Sequence, residues 1–237
     1  MKVLIGTTNP SKVKRFTDLL SGYDIEILTL KDLNIFDEPA ETGRTPEENA
    51  IIKAQFYGKF FDVVICNDSG LYFEDMDIND IRQPGLNIRT PMSKKRLNDE
   101  EMIDYYSSLI SSLDGKVSAY YLDGIAVYNK GKITSFMDKN LAVEFSSLIM
   151  VDKPSPKRHK GWPLDSLSKY KDTNEYLVDN TIEDNKDIII VGKYKDLLES
   201  NQKINVNAQT FNIDMKECLD SNKFSILGRV KEANEDD

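Results

Sequence analysis

The stretch Lys2-Val3-Leu4-Ile5-Gly6-Thr7-Thr8-Asn9-Pro10-Ser11-Lys12 carries the reading on which the fold turns. An apolar run that stops at a glycine reads as a short buried strand. The polar residues after it read as a helix start, with Thr8, Asn9 or Ser11 able to cap it and Pro10 tolerated early. Val13, Phe16, Leu19 and Leu20 continue at helical spacing, and Ile25, Ile27 and Leu28 form a second strand-like segment. Strand, helix and strand in this order predict a βαβ opening and an α/β fold.

The junction between strand and helix has chemistry of its own. Backbone N–H groups at a helix N-terminus, together with the helix dipole, favour an anion. Lys12 falls in the first helical turn, where a cation is unfavourable for the helix alone. Thr7, Thr8, Asn9 and Lys12 are therefore candidates for a phosphate-binding loop, although a plain capped helix start accounts for the same residues without a ligand.

Further along, a second helix is predicted from Thr45 to Phe61, with Ala50, Ala54, Tyr57 and Phe61 on one face. Thr45, Asn49 and Lys53 recur every four residues and form a polar stripe, from which Lys53 can reach a phosphate or simply meet solvent. Glu47 and Glu48 suit the positive end of the helix dipole. The run Val63-Val64-Ile65-Cys66 is expected to stop at the turn formers Asn67-Asp68-Ser69-Gly70, at the strand end where α/β sheets place ligands. Asp68 there either holds a metal and acts on water or closes an Asx-turn.

Residues Asn98 to Leu113 suit a helix, and Val117 to Tyr128 with Lys132 to Leu148 suit two long hairpin strands joined at Asn129-Lys130-Gly131. A basic, Pro-rich loop follows at Lys153 to Arg158. A helix is expected near Leu164 to Tyr170, a strand at Ile188 to Val191, a helix at Tyr194 to Glu199 and a solvated acidic tail from Glu232 to Asp237.

Composition narrows the function. At 237 residues, with 40% hydrophobic and 30% charged, the chain can bury the core of one large domain or two coupled lobes, which excludes global disorder. A net charge of -9 argues against a general nucleic-acid binder, whereas a small anionic ligand needs only local cations, N–H groups and a bridging divalent metal. No apolar run reaches the roughly 18 residues of a membrane span, and Met1 leads directly into a strand, so a cytoplasmic protein with no membrane partner is expected. Cys66 and Cys218 show no metal-ligand spacing and read as buried small apolar groups.

Taken in order, Thr7-x-Asn9-x-x-Lys12, Glu41-Thr42-Gly43-x-Thr45-x-x-Glu48-Asn49-Ala50-x-x-Lys53-Ala54, Asp68-Ser69-Gly70 and Pro84-Gly85 resemble the inosine/xanthosine triphosphate pyrophosphatase family over roughly the first 90 residues. The resemblance implies an elongated mixed β-sheet with flanking helices, two lobes and a cleft between them, formed by residues 1–237 as a single domain. It also implies Mg²⁺-dependent hydrolysis of a nucleoside triphosphate to the monophosphate and pyrophosphate, by a homodimer. Carried over by position, Thr7, Thr8, Asn9 and Lys12 hold the triphosphate, Lys53 adds positive charge and Ser69 contacts substrate. Asp68, with Glu41, binds metal, and Asp68 and Lys12 are the catalytic candidates.

The chain also departs from that pattern. Arg15 stands where a glutamate often follows the lysine, Ala40 stands at the metal-binding glutamate so that Glu41 or Glu38 must serve, and Asn67-Asp68 replaces paired aspartates. The aromatic-Gly-aromatic-Asp-Pro segment is matched loosely by His159 to Asp165, within which Trp162 and Asp165 are the base-recognition candidates. The late Ser-His-Arg signature is absent. Two alternatives follow: a Maf-like nucleotide pyrophosphatase acting on pyrimidine or modified nucleotides, and a nucleotide-sensing protein of weak turnover.

Overall fold

The computed structural model describes residues 1–20, 24–93, 95–179, 203–206, 209–212 and 231–232. These fall into two compact units. The first contains Met1–Asp68 and Asp123–Asp138 with the strands after residue 203, and the second contains Ser69–Leu122 and the described residues from Lys139 to 179.

In the first unit β1 (Lys2–Ile5) leads through α1 (Pro10–Leu20) to β2 (Glu26–Thr29), which pairs with β1 in parallel, as a βαβ opening requires. The chain then returns through α2 (Pro46–Tyr57) to β3 (Val63–Phe73), parallel to β1 on its other side. Because the two crossovers run in opposite directions along the sheet, their common right-handedness places α1 and α2 on opposite faces. The strand order reverses at β1, and this switch point is where such sheets bind ligands.

The α2 face is packed by Leu4, Leu30, Ala50, Ala54, Tyr57, Val64, Cys66 and Ala126. Each buried Leu or Val side chain there contributes roughly 1.5–3 kcal/mol over exposure. The helix ends at Tyr57 with Gly58 as its cap, short of the Phe61 expected from periodicity, because Phe60 and Phe61 turn back onto the Tyr57 carbonyl.

The remaining strands are β4 (Lys116–Asn129), β5 (Lys132–Phe136), β6 (Ser147–Val151) and β7 (Ser168–Tyr170). Seven strands make one mixed sheet in the order β2-β1-β3-β4-β6-β7, with β5 also paired to β4. The hairpin of β4 and β5 closes at Lys130 and Gly131, whose φ values of 47° and 92° match the right-handed strand twist. Separately, Lys203–Val206, Gln209–Asn212 and Lys231–Glu232 form a three-stranded antiparallel sheet.

In the second unit α3 (Asp99–Ser111) starts with a full capping box between Asn98 and Glu101 and buries Met102, Ile103, Tyr106 and Ile110. Three further sequence expectations are corrected. The segment Asn67 to Gly70 is not a turn: β3 runs straight through it, because buried Leu71, Tyr72 and Phe73 extend the apolar strand and the Asp68 side chain bonds to α2 instead of its own backbone. Residues Lys132 to Leu148 are not one strand. β5 covers only the end of β4 from Ile125 to Asn129, and α4 (Lys139–Ser146) carries the chain to β6, which pairs with Lys116 to Tyr120.

The third correction concerns Leu164 to Tyr170. In place of a helix there is a single 3-10 turn at Pro163–Ser166 followed by β7, since Ser168 to Tyr170 find partners on β6. The strand expected at Ile188 to Val191, the helix at Tyr194 to Glu199 and all of the acidic tail after Glu232 lie outside the described residues. Cys66 is buried, as expected, while Cys218 lies outside them. Among the described residues no helix is long and apolar enough to cross a membrane.

Candidate functional site

The loop after β1 is shaped by its own side chains. Thr7 Oγ1 accepts from the Asn9 N–H at 3.2 Å, and Asn9 Oδ1 accepts from the Ser11 N–H at 2.9 Å. The Asn9 carbonyl accepts from Val13, so Asn9 is the helix cap and Pro10 occupies the first helical position, where no donor is needed. Thr8 is exposed beside them. The close approach of this loop to the sheet depends on Gly6, where a Cβ would lie 2.4 Å from Cys66 Sγ and 2.8 Å from the Tyr57 ring.

Lys12, in the first turn of α1, points to the interior with only 16% of its side chain exposed, and its Nζ lies 4.0 Å from Asp68 Oδ1. Lys53 Nζ, from the middle of α2, lies 3.0 Å from the same oxygen and 2.7 Å from Glu41 Oε1. The other Asp68 oxygen accepts from Asn49 Nδ2 at 2.9 Å, while Asn49 Oδ1 accepts from the Gly43 N–H at 2.8 Å. Thr45 caps α2 by accepting from the Glu48 N–H. The stripe Thr45, Asn49 and Lys53 is thus no solvated face: one residue caps the helix, one is buried and one carries a paired ammonium.

Electrostatics separates the two lysines. Burial pulls Lys12 down, Asp68 pulls it back, Lys53 opposes it, and the net shift is below the usual lysine value. Burial also acts against Lys53, but Asp68 and Glu41 outweigh it and hold the ammonium above the usual value. Cys66, behind the loop, is pushed up to about 12 by burial and is inert as a thiol nucleophile.

Among the described residues no group of three or more His, Cys, Asp or Glu converges as a metal cage. The donors that do converge are two carboxylates, Asp68 and Glu41, turned to one ammonium. Hard oxygen donors in that number suit a divalent ion that completes its shell with phosphate and water. Glu41, and not Glu38, makes the Lys53 contact.

Other members of the cluster received no role from sequence reasoning. Asn49 joins Gly43 to Asp68; its place in the polar stripe with Thr45 and Lys53 marked it without assigning this bridge. Asp123, a charge inside the apolar run Leu122 to Val127, faces α1 and meets Arg15 Nη2 at 3.4 Å. Its neighbour Gly124 faces α2, where a Cβ would lie 2.2 Å from the Glu47 nitrogen, so strand and helix backbones touch. Asn67 is 1% exposed, and neither polar atom of its amide has a hydrogen-bond partner among the described residues.

The other sequence candidates belong to the second unit. Ser69 follows Asp68 on β3 and is half-buried. Asp165 is held by His159 Nδ1 at 2.9 Å, and burial raises its carboxyl against the pull of that histidine. Trp162 is 37% exposed just before the 3-10 turn. Their segment is tied to the start of α3, where Asp99 accepts from the Gly161 N–H and from Arg89, and Glu100 accepts from Arg158.

Over 139 residues the chain is 34% identical to a dITP/XTP pyrophosphatase of Thermoanaerobacter pseudethanolicus, covering 56% of this chain and 66% of that one. It is 33% identical over 138 residues to a dITP/XTP pyrophosphatase of Oceanobacillus iheyensis, covering 57% and 68%. The chain thus spans about two thirds of the length of these relatives, just under that share for the first.

Among solved structures, a HAM1 protein from Coxiella burnetii superposes with a TM-score of 0.65 at 20% identity, covering 84% of this chain and 96% of that one. The Staphylococcus aureus Ham1 protein gives 0.60 at 19% identity, covering 78% and 90%. Both share the fold. A family model described as the Ham1 family matches residues 3–142, more than half of the 237 residues, and the chain belongs to the Ham1 family.

Proposed function

We propose that this protein hydrolyses a nucleoside triphosphate, of the inosine, xanthosine or another non-standard type, to the monophosphate and pyrophosphate with Mg²⁺. The observation that carries the reading is the meeting of Lys12, Lys53 and Asp68 beside the β1–α1 loop at the switch point of the sheet. Relatives named dITP/XTP pyrophosphatases support the reaction and the substrate class.

In this reading the β1–α1 loop, through Thr7, Thr8 and Asn9, receives the phosphates at the positive end of α1. Lys12 and Lys53 neutralise charge that builds on the phosphoryl oxygens and on the departing pyrophosphate. Asp68, oriented by Asn49 and Lys53, positions the attacking water and accepts its proton as the P–O bond to pyrophosphate breaks. Asp68 and Glu41 would hold Mg²⁺, which would supply further stabilisation of the charge on the phosphoryl oxygens. Ser69 adds a substrate contact and Trp162 offers a ring face to the base, with Asp165 beside it. The working form is a homodimer in the cytoplasm.

The test is pyrophosphate release from a panel of standard, deaminated and modified NTPs with Mg²⁺, comparing the wild type with Asp68→Asn. Turnover of deaminated purine nucleotides, lost in Asp68→Asn, is the expected result. Preference for pyrimidines would favour a Maf-like enzyme, and binding without turnover would favour a nucleotide sensor. Light scattering of the same samples checks the dimer.

A further inference from the structure

Arg15 lies one helical turn beyond Lys12 on α1, so the two side chains share a helix face. Only 20% of the Arg15 side chain is exposed, and its partner Asp123 is 6% exposed. A guanidinium carries five N–H donors and grips a carboxylate best through two of them, at about 2.7–2.9 Å. Here Nη2 alone makes a single contact of 3.4 Å, and no other hydrogen bond joins Arg15 to a described residue. A largely buried cation with most of its donors unspent is poorly compensated by the protein alone.

The surroundings point the same way. The charges of Asp123 and Arg15 both act on Lys12, which places the pair within the electrostatic reach of the phosphate loop. Ion pairs join Glu41, Lys53, Asp68 and Lys12 in alternating sign, and the separate Arg15–Asp123 pair lies in the same compact unit, with Arg15 one helical turn from Lys12. Three cations, Lys53, Lys12 and Arg15, are thus available to a ligand that repeats its negative charge.

We propose that Arg15 is a third phosphate-binding cation of this site and that Asp123 is its positioning residue, so that the site is built for linked phosphates and not for a single phosphoryl group. The inference rests on the triphosphate-hydrolysing reading above. Asp123 keeps the guanidinium beside α1 and offsets its repulsion of Lys12, while the loose, single contact leaves the remaining donors to a phosphate oxygen.

The probe is inorganic tripolyphosphate, which carries linked phosphates without a base, titrated by calorimetry without divalent metal into the full chain and into variants checked for an unchanged melting profile. Arg15→Gln is expected to weaken binding about ten- to a hundredfold. The double variant Arg15→Met with Asp123→Leu removes both charges of the pair together, and it should lose as much. Asp123→Asn should weaken binding less, and with the best NTP it should raise KM while kcat stays near wild type, a split that a purely structural role would not produce. Tripolyphosphate affinity within about twofold of wild type in Arg15→Gln or the double variant, alongside a clear loss in Lys12→Ala, would overturn the role of Arg15 and leave the triphosphate reading standing. A wild type that binds no tripolyphosphate, or a Lys12→Ala variant that binds it unchanged, would sink that reading itself and this inference with it.

Discussion

Lys12 and Lys53 face the same carboxylate oxygen, Asp68 Oδ1, from two different helices, and their ammonium groups are displaced in opposite directions. Lys12 therefore gives up its proton at a lower pH than the ordinary value of 10.5, and Lys53 at a higher one. Affinity for tripolyphosphate draws on both charges, so it should begin to fall with rising pH before an ordinary lysine would deprotonate. In Lys12→Arg, whose guanidinium stays charged, the fall should move to higher pH. A pH profile unchanged by Lys12→Arg would remove Lys12 from the binding surface.

Asn49 is the buried bridge between the Gly43 N–H and Asp68. Asn49→Ala strips a donor from the carboxylate and an acceptor from the loop, leaving both partners short. Urea unfolding should show a loss of about 1–3 kcal/mol. Asn49→Asp keeps the shape but sets a second carboxylate against Asp68, and it should impair turnover more severely than Asn49→Ala does.

Gly6 has no room for a methyl group, and the nearest obstacle is the Cys66 sulfur. Gly6→Ala is expected to destabilise the fold by about 1–3 kcal/mol through overpacking. In a Cys66→Ala background the same substitution should cost clearly less, though not nothing, because the Tyr57 ring remains 2.8 Å from the new carbon. Thermal melts of the four proteins give the coupling, and strict additivity would mean that the two positions do not press on each other.

Asp165 makes a prediction about stability and pH. Burial raises its carboxyl in the folded state above the usual 3.8, so the fold favours the neutral form. Stability from this group is then fully present below pH 3.8 and lost as pH rises through the folded value. Asp165→Asn, which cannot ionise, should gain on the wild type in urea unfolding as the pH is raised from about 3 to neutrality. A difference that stays flat with pH would mean that His159 cancels the burial effect.

The parts of the fold that were legible in the chain are those set by short-range chemistry. The βαβ opening follows from apolar spacing, α3 from the helical pattern of Asn98 to Leu113, and the hairpin turn from Asn129-Lys130-Gly131. The parts that were not legible are decided by partners distant in sequence. Asn67 to Gly70 has turn composition, yet it stays extended because α2 captures Asp68 and the strand continues into buried Leu71 to Phe73. Lys139 to Ser146 becomes a helix because β4 takes one partner on its first half and another on its second.

The candidate site divides in the same way. Lys12, Lys53 and Asp68 stood out as charges at places where a fold leaves charges useful, and they converge. Asn49 stood out only as part of a polar stripe and Asp123 not at all, because the task of an amide on a helix or a carboxylate in a strand declares itself only when the facing element is known. Glu41 was singled out on position alone, and its contact with Lys53 now gives it a physical place in the cluster.

A Cβ at Gly124 would meet the first turn of α2 at three backbone atoms of Pro46 and Glu47, all within 2.5 Å. Side chains in contact accommodate strain by changing rotamer, whereas two main chains in contact have no such play. Any side chain at position 124 would push against the main chain of the helix that carries Asn49 and Lys53, so the vocabulary of that position shrinks to a single amino acid.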